Sequence, residues 1–217
     1  VDEPWVRHLH DPILEQHRGL VAAAFTLLDR SDPPSSQADF ALLCQAAQAV
    51  KMADRGASYY DQQRGCFFGY IYSNSLGTGS YFLCSVPDSY DPSRKYPLVY
   101  TLHAGGGVLE PHDAPVERDY IEVSPWGHGY NSFRGMGEIA AREVLAYVLR
   151  WYSIDQNRVY VGGHSNGGNG TWFLATRYPR LWAGASVSAG EPLNHLFFEN
   201  LGNIAVLNRC GALDTGQ

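Results

Sequence analysis

Lysine is nearly missing from this 217-residue chain: Lys51 and Lys95 are the only two among sixteen basic residues, and the formal net charge is −6. No block of basic residues occurs, which excludes nucleic acid as a partner, because a polyanion is gripped by clustered cations. No apolar run approaches the roughly 18 residues that span a bilayer, and no basic-then-apolar signal pattern opens the sequence, which leaves a signal peptide already removed as an open reading. Internal repeats and low-complexity tracts are absent. The four cysteines, Cys44, Cys66, Cys84 and Cys210, form no C-x-x-C pair; zinc-ribbon and thioredoxin-type sites are therefore not expected, and no metal or other cofactor is expected. The thiols read as buried and free, with one disulfide as the alternative in an exported protein.

What the chain does have is 45% hydrophobic residues, 14 tyrosines and 5 tryptophans. That suffices for the core of one domain with a small appendage. The composition leans towards an exported protein, periplasmic or extracellular.

The periodicity changes once along the chain. Up to about residue 64 it is helical. Asp11-Pro12 is a helix start, followed by Ile13, Leu14, His17, Leu20, Val21, Ala24, Phe25 and Leu28 at helical spacing. Pro33-Pro34 breaks the pattern. Ser36 to Asp39 resembles a capping box, and Phe40, Leu43, Cys44, Ala47 and Val50 form the expected apolar stripe of a second helix. From residue 65 to 217 the pattern becomes strand and helix alternately. Cys66–Ser73 and Ser80–Val86 read as an antiparallel pair. Pro97–Leu102, Tyr120–Ser124, Arg158–Val161, Ala183–Ser188 and Ile204–Leu207 read as strands, and Glu138–Tyr152 as an amphipathic helix. Alternation of this kind predicts a mostly parallel sheet with helices on both faces, carrying a helical N-terminal extension.

The stretch Val159 to Gly168 contains Gly163-His164-Ser165-Asn166-Gly167 between a β-branched run and the helical segment Thr171–Tyr178. A serine on a sharp strand-to-helix turn has its hydroxyl pushed clear of the sheet, and the flanking glycines make room for the turn. Serine hydrolysis needs an activated hydroxyl, a base, an acid that orients the base, and donors for the oxyanion. Ser165 supplies the first. The backbone N–H of Asn166 is one candidate donor, and Gly105 or Gly106, in the run His103-Ala104-Gly105-Gly106-Gly107 after a strand, is the second. In the order Ser, acid, His, Asp214 after the last strand run is the candidate acid. The base has no candidate in the usual place, since three residues follow Asp214 and none is histidine. His103 belongs to the glycine loop, His164 projects away from Ser165, and His128 and His195 read as structural.

From about Ser80 to Asp214 the sequence resembles the α/β-hydrolase branch that holds polyhydroxybutyrate depolymerase-like, feruloyl and acetyl-xylan esterases and prolyl-oligopeptidase-like hydrolases. The matching stretches are Val86-Pro87 to Pro92, Lys95-Tyr96-Pro97, the His103 glycine loop, Pro125 to Gly129, Gly135 to Glu138, Tyr152 to Tyr160, the Ser165 turn and Arg177-Tyr178-Pro179. It departs from the branch at Ala104, at Asn208-Arg209-Cys210, and in having no histidine after Asp214. The resemblance implies an α/β-hydrolase fold whose C-terminal part is missing. It also implies a serine esterase acting through an acyl-enzyme on small acyl or carbohydrate-linked esters. The alternatives are a prolyl-oligopeptidase-like peptidase and a non-catalytic hydrolase-fold protein. A second chain or fragment carrying the histidine is the implied partner, beside the small-molecule ester.

Overall fold

The computed structural model describes residues 12–28, 37–105, 109–111, 118–192 and 197–213. Two helices lead, α1 (Pro12–Leu28) and α2 (Gln37–Ala53), and α1 begins at the expected proline. The caps expected at Asp11 and Ser36 lie outside the described residues. The buried face of α1 includes His17, Leu20 and Ala24 of the expected stripe but not its far edge, and that of α2 differs from the expected stripe; the side chains of Ile13, Leu14 and Phe40 lie outside the described residues. On α1, Gln16, His17, Leu20, Ala24 and Leu27 are buried, whereas Phe25 and Leu28 are 67% and 57% exposed. The face is set by Gly19: a Cβ there would stand 2.3 Å from Ile71 Cα, so the helix lies directly on a strand backbone and turns the residues around Gly19 inward. On α2 the buried residues, among those described, are Ala46 and Ala49, while Cys44, Ala47 and Val50 are exposed. Small side chains let α2 approach α1, against which it packs, and the larger apolar groups are left outside.

Two polar side chains buried on α1 accept hydrogen bonds from the segment after α2. Ser58 Oγ donates to Gln16 Oε1 at 2.5 Å, and the Tyr59 N–H donates to His17 Nε2 at 2.9 Å. The His17 ring also stacks on Tyr60, with centroids 5.6 Å apart. His17→Leu would keep the volume and strand the buried Tyr59 N–H without its acceptor. It is expected to lower stability by about 2 kcal/mol, read as a lower urea midpoint at unchanged slope.

Seven strands follow: β1 (Gly65–Ser73), β2 (Thr78–Val86), β3 (Tyr96–Leu102), β4 (Ile121–Pro125), β5 (Ile154–His164), β6 (Gly184–Ser188) and β7 (Ala205–Arg209). With them come α3 (Met136–Trp151) and α4 (Asn166–Arg177). The sheet order is β1-β2-β4-β3-β5-β6-β7. β2 runs antiparallel to β4, and every other recorded pairing from β4 to β7 is parallel. The expected elements are thus present, with ends moved by up to five residues, the largest being the starts of β5 (Ile154 against Arg158) and α4 (Asn166 against Thr171). Two compact units divide the chain: one within Val1–Gln63 and Gly69–Ser80, the other within Arg64–Phe68 and Tyr81–Gln217.

In the second unit β3 alternates strictly, with Tyr96, Leu98, Tyr100 and Leu102 buried and the residues between them half-buried. Tyr100 Oη donates to Ala141 O of α3 at 2.5 Å, and Leu102 lies beneath Gly170 of α4. Both helices therefore pack on the face that β3 loads with its large side chains. None of the four cysteines forms a disulfide; Cys84 is buried, Cys66 half-buried, and Cys44 and Cys210 are exposed. Burial pushes the Cys84 thiol far up, so it stays protonated and inert.

Candidate active site

The chain leaves β3 for β4 on one side and returns to β5 on the other, so the strand order reverses at β3. Crevices outside the carboxyl ends of strands at such a reversal are where open α/β sheets bind ligands. Leu102 pairs in register with Gly163. Ser165 and Gly105 therefore stand two and three residues beyond the last β3–β5 pairing.

Ser165 occupies the turn between β5 and α4 with φ +53° and ψ −116°. A non-glycine residue there costs on the order of 1–3 kcal/mol and persists only if its surroundings enforce it. The Ser165 N–H donates to Ser188 O and its carbonyl accepts from the Asn169 N–H, both at 2.9 Å. The flanking glycines are a steric necessity. A Cβ on Gly167 would lie 2.0 Å from Leu102 O, and one on Gly163 would lie 2.5 Å from Gly167 C. Gly168 meets Gly190 Cα at 2.7 Å in the same sense. The turn thus sits against the end of β3 and the start of the following loop, with backbone touching backbone. The half-buried serine opens α4, whose first-turn N–H groups lack helical partners and bias the spot towards negative charge.

Of the residues expected in the site, Asn166 begins α4 and is 1% exposed. Gly105 is exposed, and a Cβ on it would lie 3.6 Å from the ring of Tyr130. Gly106, Asp214 and His195 lie outside the described residues. Among the described residues no hydrogen bond reaches Ser165 Oγ. The histidines weighed as base are otherwise engaged: His103 Nδ1 and Nε2 each lie 2.8 Å from a carbonyl, those of Ala104 and Trp126. His164 Nδ1 lies 3.2 Å from Ser188 Oγ. His128 packs on Trp126, centroids 4.7 Å apart, with its Nε2 buried and without a hydrogen-bond partner among the described residues.

The sequence marked the two ends of the loop that links these parts, Pro125 to Gly129 and Gly135 to Glu138, but not the role of Asn131, Ser132 and Phe133 between them. Gly127, His128, Gly129, Ser132, Phe133 and Gly135 all have φ between +53° and +88°, three of them non-glycine residues in a costly region. Phe133, fully buried, holds the loop. Its ring would be struck at 2.5 Å by a Cβ on Gly127 and at 2.6 Å by one on Gly170, and it lies 4.9 Å from the His103 ring. Asn131 Nδ2 donates to Gly127 O at 2.7 Å, and its Oδ1 accepts from the Phe133 N–H at 2.9 Å. Asn166 Oδ1 accepts from the Ser132 N–H at 2.8 Å and from its hydroxyl at 3.2 Å. The clustered glycines and Asn131 were the available signal, but which side chains they admit is a three-dimensional fact.

Burial lowers the pKa of His128. The unfolded chain therefore takes up this proton at a higher pH than the folded one. The stability contribution is complete above about pH 6.5, the unperturbed value, and is lost as the pH falls through the lowered folded value. His128→Asn, a residue that tolerates positive φ, is expected to flatten the fall in melting temperature between pH 7.5 and 5.

No protein-family model matches the sequence, and no curated protein matches it. Among solved structures, the chain is similar to a thermostable esterase at 22% identity and a TM-score of 0.56, covering 66% of this chain and 46% of that one. It is also similar to the S954A mutant of the feruloyl esterase module from Clostridium thermocellum, complexed with sinapinate. There the identity is 15% and the TM-score 0.51, covering 66% of this chain and 65% of that one. The chain thus spans about half the length of the first and about two thirds of the second. The chain has the α/β-hydrolase fold.

Proposed function

We propose that this chain carries the nucleophile and oxyanion-binding part of a serine carboxylic-ester hydrolase. The observation that supports it most is the backbone of Ser165, a strained turn enforced by glycine-to-backbone contacts at the carboxyl ends of the two central strands. Strain of this kind, in a place where ligands bind, is the mark of a functional residue.

In the reaction Ser165 Oγ attacks the ester carbonyl carbon while a base takes its proton. The carbonyl oxygen becomes an oxyanion and accepts from the Asn166 N–H and from the N–H of Gly105 or Gly106. Collapse of the tetrahedral intermediate breaks the C–O bond and releases the alcohol, which leaves with the base's proton. Water then enters by the same route in reverse and frees the acid. The imidazole comes from outside the described residues of this chain or from a second chain, oriented by Asp214. Small acyl or carbohydrate-linked esters are the proposed substrates, and the similarity to an esterase and a feruloyl esterase module supports ester over peptide chemistry.

A fluorophosphonate probe tests the reading directly. Covalent labelling at Ser165, with time-dependent loss of p-nitrophenyl acetate hydrolysis, is the expected result. A chain that stays unlabelled while folded is a non-catalytic member of the fold.

A further inference from the structure

We infer that the side chain of Asn166 is a positioning group that sets the reactivity of Ser165 by clamping the Ser132 turn to the start of α4. The inference rests on Ser165 being the nucleophile, and it concerns the carboxamide of Asn166, not its backbone N–H.

The geometry leaves little freedom in how this side chain is used. The Ser132 N–H can only donate, so the atom facing it at 2.8 Å must be the oxygen of the carboxamide. The Ser132 hydroxyl occupies the second lone pair at 3.2 Å. One oxygen thereby ties two strained backbones, Ser165 with φ +53° and Ser132 with φ +53°, across 34 residues of sequence. The other end of the carboxamide gains nothing: Asn166 is 1% exposed, and among the described residues its Nδ2 has no partner. A buried amide donor without an acceptor lowers stability. A residue kept for packing alone would be apolar; a carboxamide retained at that cost indicates that the accepting oxygen serves another purpose.

That purpose follows from what Ser132 adjoins. Its neighbour Phe133 is wedged between the absent side chains of Gly127 and Gly170 and touches the His103 ring. The Asn166 oxygen therefore joins the start of α4, the strained loop and the loop that follows β3, which are the elements that carry Ser165 and both proposed oxyanion donors. Without it, Ser132 is free to relax out of its positive φ, and the Asn166 backbone loses its lateral anchor. Displacing a reacting group by about 1 Å costs on the order of 100-fold in rate, while the binding surface for the remainder of a substrate is untouched.

The test is a comparison of wild type, Asn166→Ala and Ser132→Ala by fluorophosphonate labelling rate and by kcat and KM for p-nitrophenyl acetate. Asn166→Ala is expected to lower both kcat and labelling rate by about 30- to 100-fold with KM within about threefold. Ser132→Ala, which keeps the N–H bond, is expected to lower them several-fold in the same pattern. A folded Asn166→Ala protein that labels at the wild-type rate, or that changes only KM, overturns the positioning role. If Asn166→Ala does not fold, Ser132→Ala decides, and unchanged kcat and labelling overturn the role. A wild-type protein that is never labelled even with the chain or segment that supplies the imidazole present overturns the nucleophile assignment and this inference together, whereas a labelled wild type with indifferent variants overturns the inference alone.

Discussion

Ser165→Ala is expected to lower ester turnover by several orders of magnitude, up to about a million-fold, with the fold intact. On the proposed reading the hydroxyl that disappears is the attacking atom, and the proposed oxyanion donors alone leave only a residual acceleration. The same position offers a second measurement of opposite sign. Because Ser165 stands at φ +53°, glycine would adopt its conformation without the cost a Cβ imposes. Ser165→Gly is therefore expected to be as inactive as the alanine variant and more stable by about 1 kcal/mol. A rise in melting temperature together with loss of activity is the signature of strain maintained for reaction rather than for folding. Residual turnover near the wild-type level in either variant, measured with p-nitrophenyl acetate, would assign the hydrolysis to another residue.

Gly167→Ala is expected to be strongly destabilising, because among the described glycines its added Cβ makes the shortest approach to a neighbouring atom. Its Cβ would lie 2.0 Å from Leu102 O, 2.6 Å from Leu102 C and 2.7 Å from His103 O. All three are backbone atoms of the central strand and the loop after it, and β3 is held in register by β4 and β5 on its two sides. Nothing there can yield by rotating a side chain. Overpacking in a yielding core costs about 1–3 kcal/mol; here the loss is expected at or above the upper end, about 3 kcal/mol or more, which lowers the melting temperature by about 6–12 °C for a chain of this size. Activity should fall further than stability, because relief of the clash must separate the Ser165 turn from the His103 loop. Gly56→Ala is the control: that glycine also has positive φ (+70°), yet no atom lies within 4 Å of its added Cβ. It should cost only the local backbone strain and leave activity unchanged. Thermal melts of the two variants distinguish a contact effect from a conformational one.

The elements legible in the sequence are those whose cause is local. The β-branched run before Gly163, the glycines on either side of Ser165 and the helical spacing after it all express short-range steric demands, and the observed strand, turn and helix follow them. The change of period near residue 65 announced the alternation of strand and helix, and from it the parallel sheet, because only crossovers join parallel neighbours. What remained illegible depends on which surfaces meet. The expected stripe of α1 held at His17, Leu20 and Ala24 and failed at Phe25 and Leu28, and that of α2 failed at Cys44, Ala47 and Val50, because periodicity marks where apolar residues recur, while the buried face was decided by Gly19 lying on Ile71 and by Ala46 and Ala49 admitting close helix packing. His17 looked like one more member of an apolar stripe, yet it is buried because a backbone N–H 42 residues away needs an acceptor. The loop from Gly127 to Gly135 carries no periodic pattern at all. Its conformation comes from Phe133 filling the spaces that Gly127 and Gly170 leave open, and from an Asn166 oxygen reaching Ser132. Local chemistry thus determined where a reactive serine could stand; long-range packing, which no window of sequence contains, decided what holds it there.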